Sequence, residues 1–213
     1  MMEDFGIINF PAFLLAGILL NLTPGSDTLY ILARSISQGK RAGILSALGI
    51  STGALVHTIA AAAGLSVLLA GSATLFNLVK YAGALYLIYL GIKALKTGST
   101  PQPGEPLSTR RYSSRQIYIS GVLTNVLNPK VALFFLAFLP QFIIPGDHQA
   151  VLSFLILGIT FITTGTIWCL FLALFASSLT EKIIGSTGFS KMLHKVTGVL
   201  FIGLGISLAF SRR

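Results

Sequence analysis

Six long runs of apolar residues make up most of the chain, and polar segments separate them. The runs cover about residues 7–33, 43–70, 74–95, 117–141, 149–176 and 193–210. Because an α-helix rises about 1.5 Å per residue, roughly 20 apolar residues cross the hydrocarbon core of a bilayer. The pattern therefore predicts six transmembrane helices, the first two of them long enough to tilt or to be interrupted.

The composition leads to the same fold class. Hydrophobic residues make up 54% of the 213 residues, charged residues make up 10%, and the mean hydropathy is +0.83. A soluble domain carries about 25% charged residues, and a soluble core of this size has no room for so much apolar surface. We expect an all-α integral membrane protein whose surroundings are the lipid bilayer.

The distribution of charge predicts the orientation. The net charge of +9 would suggest nucleic acid as a partner of a soluble protein. Here the basic residues lie between apolar runs, and positively charged loops mark the cytoplasm. We therefore expect no nucleic-acid partner and predict that the N-terminus and the C-terminus both lie outside, although Arg212 and Arg213 oppose this weakly. Eleven of the 15 Lys and Arg residues follow the first, third and fifth runs: Arg34, Lys40, Arg41, Lys93, Lys96, Arg110, Arg111, Arg115, Lys182, Lys191 and Lys195.

One polar linker divides the chain into two halves. Residues 96–115 are rich in Pro and Gly and predict a flexible cytoplasmic loop between residues 1–95 and residues 116–213. Each half holds three predicted spans, and an odd number of spans inverts the second half relative to the first. Inverted repeats with interrupted helices recur in secondary transporters. We therefore predict two inverted three-helix repeats, each with an interrupted first helix.

Two apolar runs carry a polar break with a proline. The breaks are residues 21–27 (NLTPGSD) and residues 124–130 (TNVLNPK), at equivalent places in the two halves. Thr and Asn are favourable N-caps and Pro suits the first helical position, so we expect half-helices to begin at Thr23-Pro24 and at Asn128-Pro129. Such starts expose unpaired N–H groups and favour an anion. The alternative is a proline kink that only shapes packing.

Two charged residues follow the breaks. Asp27 would be costly inside a membrane unless it is paired or hydrated, so it is a candidate for binding an ammonium group or carrying a proton. Compensation of a helix dipole is the alternative. Lys130 would pair with Asp27 as a gate if the two breaks meet, and otherwise it would extend to the membrane surface.

Other polar and small residues complete the candidate site. Asn21, Gly25 and Asn125 flank the breaks and would bind substrate or satisfy freed backbone groups. Gly49 and Gly53 lie on one helix face and permit close helix packing. His57 continues that face and is a candidate proton relay, with a packing role as the alternative.

The chain lacks the sequence features that several kinds of chemistry require. Cys169 is the only cysteine, which excludes an intrachain disulfide and a paired-cysteine relay and suggests a packing role. The chain has no phosphate-binding loop for ATP and no cluster of metal-ligand residues. Residues 49–53 (GISTG) match the letters Gly-x-Ser-x-Gly, but they lie inside an apolar run and not at the strand-to-helix turn of a nucleophile elbow. We therefore expect no cofactor, no bound metal and no enzymatic activity.

The two breaks resemble the signatures of the LysE/RhtB family of amino-acid exporters. The first match is residues 21–28 (NLTPGSDT) with residues 39–43 (GKRAG), and the second is residues 121–130 (GVLTNVLNPK) followed by Phe134-Phe135. The length, the six spans and the basic central loop extend this resemblance over nearly the whole chain. Ser26 stands where the family usually has a second proline.

The resemblance implies a secondary active transporter of the bacterial inner membrane. It implies export of amino acids or their derivatives, such as homoserine, threonine, lysine, arginine or leucine, driven by the proton-motive force. In this hypothesis the half-helix starts hold the substrate carboxylate, Asp27 holds the ammonium or exchanges a proton, and Lys130 competes for Asp27. A homo-oligomer would be compatible with the sequence.

Three functions are alternatives to the export of amino acids. A metal-ion or other small-metabolite exporter of the same superfamily is the main alternative, but few carboxylates lie within the spans. A membrane thiol–disulfide carrier needs paired cysteines. A membrane scaffold without transport activity would not explain two polar breaks.

Overall fold

The computed structural model describes residues 2–65, 73–96, 111–144 and 148–179, together with ten residues between 195 and 210. The described part is helical, with a single isolated bridge between Ile7 and Ile143. Seven α-helices are described: α1 (Phe10–Leu22), α2 (Ser26–Gln38), α3 (Lys40–Ala60), α4 (Ala73–Lys96), α5 (Ser114–Val126), α6 (Pro129–Leu133) and α7 (Ala150–Leu179). Shorter turns flank them: a 3-10 turn at Glu3–Phe5, π-helical turns at Ala61–Leu65 and Phe134–Phe138, and a 3-10 turn at Leu139–Phe142.

The described helices are compatible with a membrane protein. Lys40–Gly64 and Ala150–Ala176 are each long and apolar enough to cross a bilayer. Two bent pairs pass the same test when each is taken as one span: α1 with α2, and α5 with the helical segment Pro129–Phe142 that begins with α6. The all-helical fold is thus confirmed for the described residues, and its apolar helices are compatible with a membrane protein. Helix α4 covers the third predicted run without being one of these candidates. The sixth run, residues 193–210, lies largely outside the described residues, so six spans in two repeats remain a prediction.

Both predicted breaks are present, but the first is built differently from the prediction. Helix α1 ends at Leu22 and α2 begins at Ser26, with 47° between them. Thr23 was expected to cap the start of α2, and this was wrong: it is the C-cap of α1, and its hydroxyl donates to the carbonyl of Leu19 at 2.7 Å. The residue before a proline is driven to extended backbone, which ends α1 at Thr23, while α2 begins only at Ser26. The N-cap of α2 is Gly25, which has no side chain to offer.

The second break follows the prediction more closely. Asn128 is the N-cap of α6, its carboxamide oxygen accepts from the backbone N–H of Lys130 at 3.0 Å, and Pro129 is the first helical residue. The angle between α5 and the segment after the break is 45°. Helix α5 itself begins at Ser114, inside the predicted linker, because Ser113 and Gln116 form a reciprocal capping box.

Helices α3 and α5 pack with their backbones close together. A Cβ added to Gly49 would overlap the backbone oxygen of Tyr118, and one added to Gly53 would lie 2.7 Å from the Cβ of Asn125. A Cβ on Gly121 of α5 would lie 2.9 Å from the oxygen of Ser46. Small residues allow this approach, which positions the second break beside α3.

Aromatic side chains form the core beneath the second break. Phe134 and Phe135 are each 1% exposed and lie in the π-helical turn after α6. Phe134 stacks on Phe161 of α7 at 4.8 Å between ring centroids, and Phe13 of α1 lies 6.0 Å from Phe134. This cluster joins α1, α7 and the segment after α6 into one unit, so both breaks rest on a shared support.

A second contact joins the end of α2 to the start of α5. The carboxamide of Gln38 donates to the carbonyl of Tyr112 at 2.9 Å and accepts from the N–H of Tyr112 at 3.1 Å. The guanidinium of Arg34 lies 4.1 Å from the ring of Tyr112. The residues before α5 are therefore fixed to the first bent pair.

Candidate functional site

The two breaks meet α3 and α7 around a cavity of about 30 Å³. Space of this size takes about one or two water molecules. The cavity is lined by charged and amide side chains from both breaks, by hydroxyls of α2, α3 and α7, and by apolar groups. The charged and amide side chains are Asn21, Asp27, Asn125 and Lys130, and the hydroxyls belong to Thr28, Ser51 and Thr166.

Asp27 lies in the first turn of α2 and is partly buried. Its Oδ2 accepts from the carboxamide Nδ2 of Asn125 at 2.8 Å, and its Oδ1 accepts weakly from the hydroxyl of Ser26 at 3.4 Å. Since an ionised carboxylate only accepts, the NH₂ group of Asn125 must face it. The side chain that follows the first break is therefore held by a residue of the second.

Lys130 is held differently from the prediction. Its ammonium donates to the carbonyls of Leu20 at 3.1 Å and Thr23 at 3.0 Å, and no ion pair with Asp27 is formed among the described residues. The last carbonyls of α1 have no partner within the helix and carry the negative end of its dipole, which attracts a cation. Lys130 and Asp27 nevertheless line one cavity, so the breaks do meet.

Asn125 connects Asp27 to His57. It is 2% exposed, and its backbone carbonyl lies 3.2 Å from Nε2 of His57. The ring of His57 stacks on Phe135 with 5.7 Å between centroids. The predicted proton-coupling residues thus contact the same asparagine: Asp27 contacts its side chain and His57 contacts its backbone carbonyl. Gly53 lies against the side chain of this asparagine.

The remaining predicted site residues have structural contacts. Asn21 lines the cavity, and its carboxamide donates to Thr164 Oγ1 at 3.2 Å and to the carbonyl of Phe161 at 3.4 Å. Gly25 lies beneath the Lys130 side chain, where a Cβ would be 3.5 Å from Nζ. Pro24 and Pro129 are exposed and do not line the cavity.

The start of α6 is already occupied by a side chain. Because Asn128 caps the backbone N–H of Lys130, an anion at this helix start would have to displace that cap. The start of α2 has no such cap, since Gly25 is its N-cap. Of the two half-helix starts, that of α2 is therefore the more open to an anion.

Helix α7 contributes residues that sequence reasoning missed. Trp168 lines the cavity, and its buried indole nitrogen has no hydrogen-bond partner among the described residues. Cys169, for which packing was predicted, is buried and lines the same cavity. Thr166 bonds to Ser51 of α3 at 2.7 Å between hydroxyl oxygens. The hydroxyl-rich stretch 160–166 (TFITTGT) within an apolar run was the available signal.

Comparison with known proteins places the chain in a family. The family model for LysE type translocators matches residues 18–212. The chain belongs to the LysE type translocator family. The proteins of this family are translocators, not a class of enzyme, and the translocator described here is accordingly a multi-pass membrane protein.

Named relatives cover nearly the whole translocator. It is 32% identical over 210 residues to proteins named leucine efflux protein from Salmonella choleraesuis (strain SC-B67) and Salmonella typhimurium (strain LT2), with 98% of each chain covered. It is also 32% identical over 208 residues to the uncharacterized membrane protein YrhP of Bacillus subtilis (strain 168), covering 94% of this chain and 98% of the relative. No solved structure matches it.

The charges that line the cavity are balanced. Asp27 provides one carboxylate and Lys130 one ammonium, while the other lining residues are neutral. Ile50, Val131 and Ile162 add apolar wall. Within the described ranges, no group of three or more His, Cys, Asp or Glu side chains is arranged to hold a metal ion. The arrangement suits a small molecule that carries both charges and an apolar part.

Proposed function

We propose that this translocator exports amino acids with an uncharged aliphatic side chain, such as leucine, from the bacterial cytoplasm. The observation that carries the proposal is the cavity at the two helix breaks, where one carboxylate and one ammonium lie among neutral polar and apolar side chains. A zwitterionic amino acid presents the complementary charges. Relatives named leucine efflux protein support the choice of side chain.

In this proposal the ammonium group of the substrate binds Asp27 and Asn125. The carboxylate lies near Lys130 and the uncapped start of α2, where the backbone N–H groups of the first turn are open. A basic side chain would need a second carboxylate, and among the described residues Asp27 is the one carboxylate that lines the cavity. The site therefore favours neutral over basic amino acids.

Transport requires the helices to move. An apolar cavity of about 150 Å³ takes a molecule the size of benzene, whereas this cavity measures about 30 Å³. An amino acid can therefore enter only when the bent pairs separate from α3 or α7. We propose alternating access, in which the two bent pairs rock about the glycine contacts of α3 and α5.

Proton coupling is the proposed source of energy. Asp27 is partly buried, and the asparagine that holds it also contacts His57. Protonation of Asp27 would release the ammonium group on the outer side, and proton loss to the cytoplasm would restore the empty site.

We also propose a location in the bacterial inner membrane, a cytoplasmic loop at residues 96–115 between inverted repeats 1–95 and 116–213, and both termini outside.

The test is efflux of a panel of labelled amino acids from loaded cells with and without the protein. Efflux of leucine that an uncoupler abolishes would support proton-linked export. Efflux of a basic amino acid alone would contradict the assigned selectivity, and no efflux of any amino acid would redirect the search to metal ions and other small metabolites.

Asp27→Asn tests the role of the carboxylate. The variant keeps the size of the side chain but removes its charge, and we expect leucine efflux to fall to the background level at normal membrane abundance. Glu3→Gln, which removes an exposed carboxylate outside the cavity, is the matched control and should export normally. Full activity of Asp27→Asn would refute the role of Asp27.

A further inference from the structure

Two buried polar atoms around the cavity, one a hydrogen-bond donor and one an acceptor, have no partner among the described residues. The indole nitrogen of Trp168 is a donor, and the carboxamide oxygen Oδ1 of Asn125 is an acceptor. Both residues line the cavity. An unpaired buried polar group in a native protein is rare and points to a missing partner, such as water or a ligand.

Several other polar side chains of the cavity already have a hydrogen-bond partner. Asn125 uses its Nδ2 on Asp27, and Lys130 donates to two carbonyls of α1. Asn21 is bound to α7, and Ser51 is bound to Thr166. The indole N–H and the carboxamide oxygen are the buried side-chain atoms of the lining that have no partner at all among the described residues.

We propose that Trp168 binds the substrate carboxylate through its indole N–H. The inference rests on the proposed function, since an amino acid brings an acceptor for Trp168 and, in its ammonium group, a donor for Asn125 Oδ1. The indole N–H donates only and has no alternative protonation state, so it can bind only a hydrogen-bond acceptor such as a carboxylate. Trp168 thereby becomes a specificity residue on α7, opposite the two breaks.

The ring of Trp168 is fixed independently of the N–H group. It stacks on Phe171, with 5.5 Å between centroids and an interplanar angle of 18°. Phe171 is 43% exposed and does not line the cavity. A change at Phe171 therefore disturbs the stacking and leaves the donor in place, which makes it a matched control.

The experiment measures leucine binding and leucine counterflow with the purified full chain. Trp168→Phe keeps an aromatic ring and removes the N–H. Because a hydrogen bond to a charged group is worth roughly a factor of ten or more in affinity, we expect about a tenfold or larger increase in the leucine concentration that gives half-maximal counterflow. The unfolding temperature without leucine should stay unchanged, while the rise that leucine produces should shrink.

Phe171→Leu should behave like the wild type in both measurements. Trp168→Phe with unchanged leucine dependence would overturn the proposal, and so would an equal loss in Phe171→Leu. A Trp168→Phe protein without counterflow supports the proposal only if leucine no longer raises its unfolding temperature and the leucine-free value is normal; otherwise it counts against it.

A leucine analogue without the carboxylate tests which substrate group is bound. The wild type should bind 3-methylbutylamine at least about tenfold more weakly than leucine, and Trp168→Phe should lose nothing further. Equal affinity of the wild type for both compounds, or a further loss in the variant, would contradict the assignment. Failure of the wild type to bind or exchange any amino acid would instead contradict the proposed function.

Discussion

Replacing Gly53 by alanine tests whether the close contact of α3 with α5 positions the site. The added Cβ would lie 2.7 Å from Asn125 Cβ, 2.8 Å from the oxygen of Val122 and 3.0 Å from Asn125 Oδ1. Ordinary contact between carbon atoms begins at about 3.5 Å, so the helices must separate by roughly 0.8 Å. Two of these atoms belong to backbone or to a Cβ and cannot move without their helix.

The energetic effect follows from two opposing terms. Overpacking costs about 1–3 kcal/mol, whereas the helix preference of alanine over glycine returns about 1 kcal/mol. The net loss of up to about 2 kcal/mol lowers the unfolding temperature by up to about 8 °C for a chain of this size. The larger effect falls on transport, because a shift of α5 lengthens the 2.8 Å bond between Asn125 and Asp27.

The assay combines thermal unfolding in detergent with leucine efflux. We expect Gly53→Ala to reduce efflux by about tenfold or more, the equivalent of one hydrogen bond to a charged group. Gly64→Ala is the control, since a Cβ at Gly64 would meet no atom of the described residues within 4 Å. If Gly53→Ala kept the stability and the efflux of the wild type, the contact would not position the site and the reasoning would be wrong.

Two further predictions concern the cavity. Lys130→Met should lower the unfolding temperature by several degrees, because the carbonyls of Leu20 and Thr23 lose a buried donor worth about 1–3 kcal/mol; an unchanged melting curve by circular dichroism would contradict this role. Cys169 is buried and the cavity is too small for N-ethylmaleimide, so the reagent should inactivate the protein slowly, through the open conformation that transport requires, and leucine bound in that conformation should slow the alkylation further. Since Cys169 is the only cysteine, Cys169→Ser should resist the reagent, and inactivation of that variant would show that the loss arises elsewhere.

The sequence predicted the positions of the breaks but not how their polar groups are used. A proline preceded by Thr or Asn interrupts a helix for local reasons, because it lacks an N–H and restricts the residue before it. The same local preferences allow Thr23 either to end α1 or to start α2. The choice depends on its hydroxyl bond to Leu19 and on the contact of Lys130 with the end of α1.

The cavity residues that α7 contributes could not be predicted from the sequence, for a different reason. The sequence of an apolar run shows that the helix is long and apolar enough to cross a bilayer. Which face of that helix contacts the other helices depends on how the helices pack. Cys169 was therefore expected only to pack in an apolar helix, and the placement of α7 against both breaks brings Cys169 and Trp168 to the cavity.

The sequence by itself determined the fold class, the two breaks and the family, because each depends on local composition or on spacing along the chain. Only the tertiary structure decided the partners of the charged side chains. Asp27 binds Asn125, and Lys130 binds the end of α1 in place of the predicted Asp27. These partners are about 100 residues apart along the chain, and their contact depends on how the helices pack, which local preferences do not specify.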